Sequence, residues 1–189
     1  MDNPVGDELM AFLFGGKSDN TAIAAISLEE YDHKLRPDRL GKYFKRYVKN
    51  YVFDEFSDKY LGKQKNLEFM RGVPIPLRKE DLEAFKGDGL KVMLIAENMA
   101  WIIGIDPKFK YTKTYIQYME KFFGAKIVDA LLKEGRNAAE KKDYDNAAIH
   151  LRAALCVKPD SMDALYSYAR VCREMYLASD DPEYTGNFK

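Results

Sequence analysis

Side chains capable of covalent or metal chemistry are few in this sequence and widely spaced. Cys156 and Cys172 are its two cysteines, and His33 and His150 its two histidines. Metal sites need such ligands at short, fixed spacing, and the sequence holds no C-x2-C and no H-E-x-x-H. G-x-S-x-G and S-x-x-K are absent too, and neither cysteine has a histidine beside it, so no activated nucleophile is expected. Gly87-Asp-Gly89 lacks the spacing and the Lys-Ser/Thr of a phosphate-cradling loop. Asp180-Asp181 lies in a polar tail, where solvation accounts for it. Glu97 is the odd acid, set inside a strongly apolar run. Buried there, it would carry the raised pKa that catalytic carboxylates use. On an exposed edge of its helix it needs no such role, and that is the expectation. The residues point away from an enzyme and call for no cofactor and no metal.

Binding chemistry is better supplied. Arg39–Leu61 reads as one long amphipathic helix, with Leu40, Phe44, Tyr47, Val48 and Tyr51 recurring on one face. Lys42, Lys45, Arg46 and Lys49 fall mostly on the other face. Basic residues interleaved with aromatics are one way to hold nucleic acid. The aromatics here share the apolar face, however, and core packing explains them without a ligand. Lys+Arg and Asp+Glu both number 30, so the formal net charge is zero. That balance argues against a general binder of polyanions, whose affinity comes from clustered positive charge. A nucleic-acid-associated role for 39–49 is kept as the alternative reading.

The elements that must position these residues fall into three stretches. Residues 1–26 read as a flexible arm with a short helix over Leu9–Phe14. Left exposed, that apolar patch would serve as a docking or self-association segment. No basic region precedes it, so it is not read as a secretory signal. Residues 27–88 read as an N-terminal helical region. Ser27 and Glu30 form a capping box there, and Gly72-Val-Pro-Ile-Pro-Leu77 is an extended connector. Residues 89–189 are densely helical. Leu90–Ile103 is apolar on most sides and should be enclosed, yet it is too short to span a bilayer. Phe109–Phe123 carries an aromatic stripe through Tyr111, Tyr115, Tyr118, Met119 and Phe122, the pattern of a packed face. Both cysteines lie in helical pattern, where a thiol acts as a small core residue, and this fits a reducing, cytoplasmic setting. A chain of 189 residues with a 47% hydrophobic share buries a real core.

Within the last stretch, Ala130–Tyr176 repeats a pattern of small and large residues. Gly135, Ala138, Ala147, Ala148 and Ala154 are small where two helices would approach; Leu131, Leu151, Leu155 and Val157 fill the steps between. Asp143-Tyr-Asp-Asn makes a polar turn, and Pro159 closes the second helix. This run resembles the tetratricopeptide repeat through Leu131, Glu134, Gly135, Ala138, Ala147, Leu151, Ala154 and Pro159. The register continues one 34-residue period later as Leu165, Tyr168, Ala169 and Cys172. Leu131, Glu134, Ala138 and Leu151 depart from the Trp, Leu, Tyr and Phe usual in the motif. Roughly one and a half repeats are present. The resemblance implies an all-α fold of stacked antiparallel helix pairs, with Leu90–Phe123 as a divergent pair capping them. After Tyr176 the chain turns polar, so the second repeat lacks a convincing second helix.

In such a stack the first helix of each pair lines the inner wall. The resemblance then places Asp129, Leu132, Arg136, Ala139 and Glu140 in a groove, with Asp163, Tyr166, Arg170, Arg173 and Glu174 one period on. Arginine forks, tyrosine and acids suit the gripping of a peptide. Some family members clamp a C-terminal carboxylate with Lys and Asn; Leu132 stands at one of those basic positions, so that subtype is not matched. Helix-internal pairing of Arg136 with Glu140 and of Arg170 with Glu174 would use the same residues up. The expected function is a protein–protein interaction module or scaffold in the cytoplasm, with a protein or peptide partner. No membrane partner is expected, and homo-oligomers are allowed.

Overall fold

The structure, a computed structural model, describes residues 38–82 and 91–186. The expectations for the arm at Leu9–Phe14, the capping box at Ser27, the second histidine, His33, and Gly87-Asp-Gly89 lie outside the described residues. From Arg39 onwards the chain belongs to one compact unit.

Arg39–Leu61 is not one helix. A short helix α1 (Arg39–Phe44) tightens into a 3-10 turn over Lys45–Asn50 and then opens into strand β1 (Tyr51–Asp54), before helix α2 (Asp58–Lys63). The helical spacing of the aromatics is real, but Tyr51-Val-Phe is also a strong strand former, and a partner strand is at hand. That partner is the expected connector: Ile75–Arg78 forms β2, antiparallel to β1, with Tyr51 opposite Arg78 and Asp54 opposite Ile75. Its prolines keep the backbone extended, as expected. The helices bond to its backbone: Tyr115 donates to the Pro74 carbonyl, and Asn98 Nδ2 donates to that of Pro76 at 3.2 Å. The fold is therefore mostly helical, with a small two-stranded sheet among the described residues.

Among the described residues six α-helices follow the sheet, beginning with α3 (Val92–Ile105) and α4 (Thr112–Phe123). Then come α5 (Lys126–Glu140), α6 (Tyr144–Val157) and α7 (Met162–Leu177), and a short α8 (Pro182–Thr185) closes the described chain. Helix α3 is enclosed as its composition demands, with Ile95, Met99 and Ile103 fully buried. The chain can leave α4 sharply because Gly124 adopts φ 55°, a left-handed conformation that a side chain would resist. Asp143 caps α6 by accepting from the Asn146 amide at 3.2 Å, and Ser161 caps α7 by accepting from the Ala164 amide at 3.3 Å.

Helix α6 is the hub, packed against α3, α5 and α7 together. Ala147, Ala148, Ala153 and Ala154 are all fully buried, and these small side chains let three helices approach it. At Gly104 of α3 the approach is backbone to backbone: a Cβ there would lie 2.2 Å from the Ile149 carbonyl oxygen. At Gly135 of α5 a Cβ would lie 2.8 Å from Leu151 Cγ. The expected close contact at Gly135 is thus present. Its counterpart Ala169 is exposed on α7, and among the described residues the helix that follows is only the four-residue Pro182–Thr185. Leu165 is likewise 41% exposed, where Leu131 is only 5% exposed.

Candidate functional site

Helices α5 and α7 run on the same side of α6, and the space between them forms a cleft of about 420 Å³. Its floor is apolar, made by Leu151 of α6 with Gly135 and Val171, which are all buried. Its walls are ionic: Arg136 and Glu140 rise from α5, and Arg170 and Glu174 from α7, with Ser167 between them. Helical spacing explains the gathering, since residues three and four apart share a face.

A second opening of about 570 Å³ lies nearer the start of α5 and holds Asp129, Leu132, Lys158 and Asp163. Eight of the ten sequence-derived positions are thereby brought to the α5–α7 side, five in the first opening and three in the second. Arg136, Ala139, Glu140, Arg170 and Glu174 share the first; Asp129, Leu132 and Asp163 share the second. Leu132 is a wall of the opening more than a contact surface, being 7% exposed. Tyr166 and Arg173 line neither opening; they stand on the outer side of α7, and Tyr166 is 66% exposed.

The ion pairs differ from those expected along each helix. Arg136 reaches across the groove, with Nη2 3.6 Å from Asp163 and Nε donating to Ser167 Oγ at 3.3 Å. Arg173, not Arg170, pairs with Glu174, at 2.8 Å. The Arg170 guanidinium sits 5.9 Å from the ring centre of Tyr166. Neither Arg170 nor Glu140 has an oppositely charged partner among the described residues. The Arg136–Asp163 pair is itself solvent-exposed, so it is worth under about 1 kcal/mol and an incoming group can replace it. A cation on α7 and an anion on α5 therefore line one cleft above an apolar floor.

Elsewhere, side chains the sequence singled out are used structurally. Glu97 is exposed and pairs with Arg78 at 3.3 Å. His150 is 6% exposed on α6, with Nδ1 2.9 Å from the Asn146 carbonyl and its ring edge-on to Trp101. Burial among apolar neighbours holds its pKa below the ordinary imidazole value. Burial pushes the Cys172 thiol up, the opposite of what a reactive thiolate needs. Among the described residues no group of His, Cys, Asp and Glu has a metal-holding arrangement.

Of the basic residues Lys42, Lys45, Arg46 and Lys49 of the 39–49 stretch, Lys42 and Lys49 are exposed without an ionic partner among the described residues, and the other two are paired. Lys45 pairs with Asp106 at 3.4 Å, and Arg46 pairs with Asp145 at 2.6 Å while lying over the Tyr43 and Tyr47 rings. Sequence reasoning missed one cluster altogether. Tyr47, Asn50, Tyr51, Arg78 and Trp101 line a depression of about 510 Å³ beside the strand pair. Arg78 fills its centre, donating to the Tyr51 hydroxyl at 3.1 Å with its guanidinium 5.0 Å from the Trp101 ring. No local signal joins these residues, because the strand pairing brings them together. Among the described residues no helix is long and apolar enough to cross a membrane. Comparison with protein-family models, with curated proteins and with solved structures gives no match for this chain.

Proposed function

We propose that this protein is an interaction module of tetratricopeptide-like pattern that receives an extended peptide, or a partner's exposed segment, between α5 and α7. One observation carries the reading. Arg170 and Glu140 line one cleft from its two helices, neither with an ionic partner among the described residues, above a floor of Leu151, Gly135 and Val171. Apolar side chains of a ligand would bury against the floor while its charged groups engage the walls. An arginine fork on a carboxylate gives both strength and orientation. The reading includes a cytoplasmic setting and no catalytic step or cofactor. The basic stretch 39–49 is the alternative surface, with Lys42 and Lys49 exposed but its Phe44 and the adjoining Tyr51 buried in the core rather than offered to a ligand.

Panning the immobilised protein against a random peptide library supplies the probe. Amide shifts on adding the selected peptide should then concentrate at Gly135, Arg136, Ser167, Arg170 and Val171. Shifts clustered on 39–49, or a selection that enriches nothing above bare resin, would contradict the assignment.

A further inference from the structure

We propose that Asp163 is a built-in competitor for Arg136, holding that side chain until a ligand carboxylate displaces it. The inference rests on the groove between α5 and α7 being the binding site. It adds the chemistry of the ligand: two acidic groups, one for Arg170 and one for Arg136.

Helix geometry brings the competitor within reach. Asp163, Ser167 and Arg170 lie four and three residues apart on α7, hence on one face, and all three line the openings beside α5. Arg136 lines the first opening, whereas Asp163 lines the second. Their contact, Nη2 to Oδ1 at 3.6 Å, therefore passes from one opening to the other and links the two helices. Both side chains are open to solvent, Arg136 at 52% and Asp163 at 81%.

The chemistry of this contact favours exchange. At 3.6 Å the pair lies beyond hydrogen-bond distance, so Asp163 supplies charge without a directed bond. Arg136 Nε donates to Ser167 Oγ at 3.3 Å, and the other guanidinium donors make no hydrogen bond among the described residues. Those donors form a fork that matches the two oxygens of a carboxylate. An incoming carboxylate gains two short, charge-assisted bonds there, where Asp163 gives up one long contact. Asp163 is then left facing water in the first turn of α7, where the helix dipole favours a negative charge. Displacement therefore strands no buried ion. Arg170 differs, having the Tyr166 ring beside it and no carboxylate partner among the described residues. One acid of the ligand meets an open arginine, and the other must outcompete Asp163.

The probe is a fluorescent peptide, the one enriched by panning on the parent chain. Its binding is followed by anisotropy at about 0.15 M salt, where charges more than about 8 Å apart are largely screened. Asp163→Asn should tighten binding about two- to fivefold, the range set by releasing an exposed ion pair. Asp129→Asn removes an acid from the same opening that is not paired with Arg136, and its gain should be smaller. Arg136→Gln should weaken binding, and adding Asp163→Asn to it should change nothing further. Asp163→Asn also takes a charge from the first turn of α7, so a tighter complex from a chain that melts slightly lower separates competition from structural support. Unchanged or weaker binding in Asp163→Asn overturns the proposal while the groove stands. So does an equal gain in Asp129→Asn, or a gain that persists in the Arg136→Gln background. Enrichment of no peptide, or amide shifts outside the groove, removes the binding site itself and the proposal with it.

Discussion

Two glycines do most to set how closely the helices lie. At Gly104 an added methyl meets a backbone oxygen at 2.2 Å, which cannot move without shifting α6. At Gly135 it meets the Leu151 side chain at 2.8 Å, which can give a little. Replacing helix-interior glycine with alanine gains about 1 kcal/mol of propensity, against an overpacking cost of about 1–3 kcal/mol or more. Urea denaturation should therefore show Gly104→Ala losing about 2 kcal/mol, with Gly135→Ala losing less and lying near neutral. His150 supplies a pH test. Its folded pKa is depressed, so the unfolded chain takes up the proton first as pH falls. The stabilising contribution of neutral His150 is fully present above about 6.5, the unfolded value, and is lost as pH drops below it towards the folded value. Glu97 and Glu134 oppose the depression, while Arg78 adds to it. The stability of His150→Leu, measured between pH 7.5 and 5, should fall less than that of the parent, by up to about 1.4 kcal/mol per pH unit in that window. Parallel curves would contradict the buried, neutral assignment.

The helices from Val92 to Leu177 were legible because period and punctuation agree there. Apolar residues recur at helical spacing, Asp143 and Ser161 cap, and Gly124 and Pro159 interrupt. Arg39–Leu61 was misread because Tyr47, Val48 and Tyr51 satisfy a helical period while Tyr51-Val-Phe also suits a strand. The deciding partner, Ile75–Arg78, lies more than twenty residues away, out of reach of any local pattern. The groove positions Arg136, Glu140 and Arg170 could be read from register alone, since they depend on one helical face. The Arg78–Tyr51–Trp101 cluster could not, since it depends on that long-range pairing. Equal register also gave opposite environments to Gly135 and Ala169, because among the described residues only the first has a helix opposite. Leucine at the two positions should separate them: Ala169→Leu should change stability by under about 0.5 kcal/mol, as at other surface sites. Gly135→Leu, forced into Leu151, should unfold the pair of helices or cost above about 3 kcal/mol. Thermal melts of both variants make the comparison.

At the scale of the whole molecule, α6 acts as a fixed hub, with α3 holding one side and α5 and α7 forming the walls of an open groove. A buried apolar floor with charged walls suits recognition, since the ligand meets a preformed surface. Charge on those walls sets which peptide is chosen. In Arg170→Glu, affinity for a peptide selected on the parent should fall about tenfold, near 1.4 kcal/mol, with the melting temperature unchanged. The most direct measurement selects from one random peptide library on the parent and on Arg170→Glu in parallel. A shared apolar core is expected in both pools, with an acidic position in the parent motif replaced by a basic one in the variant motif. Identical motifs from the two proteins, or no motif from either, would contradict a groove that binds through Arg170.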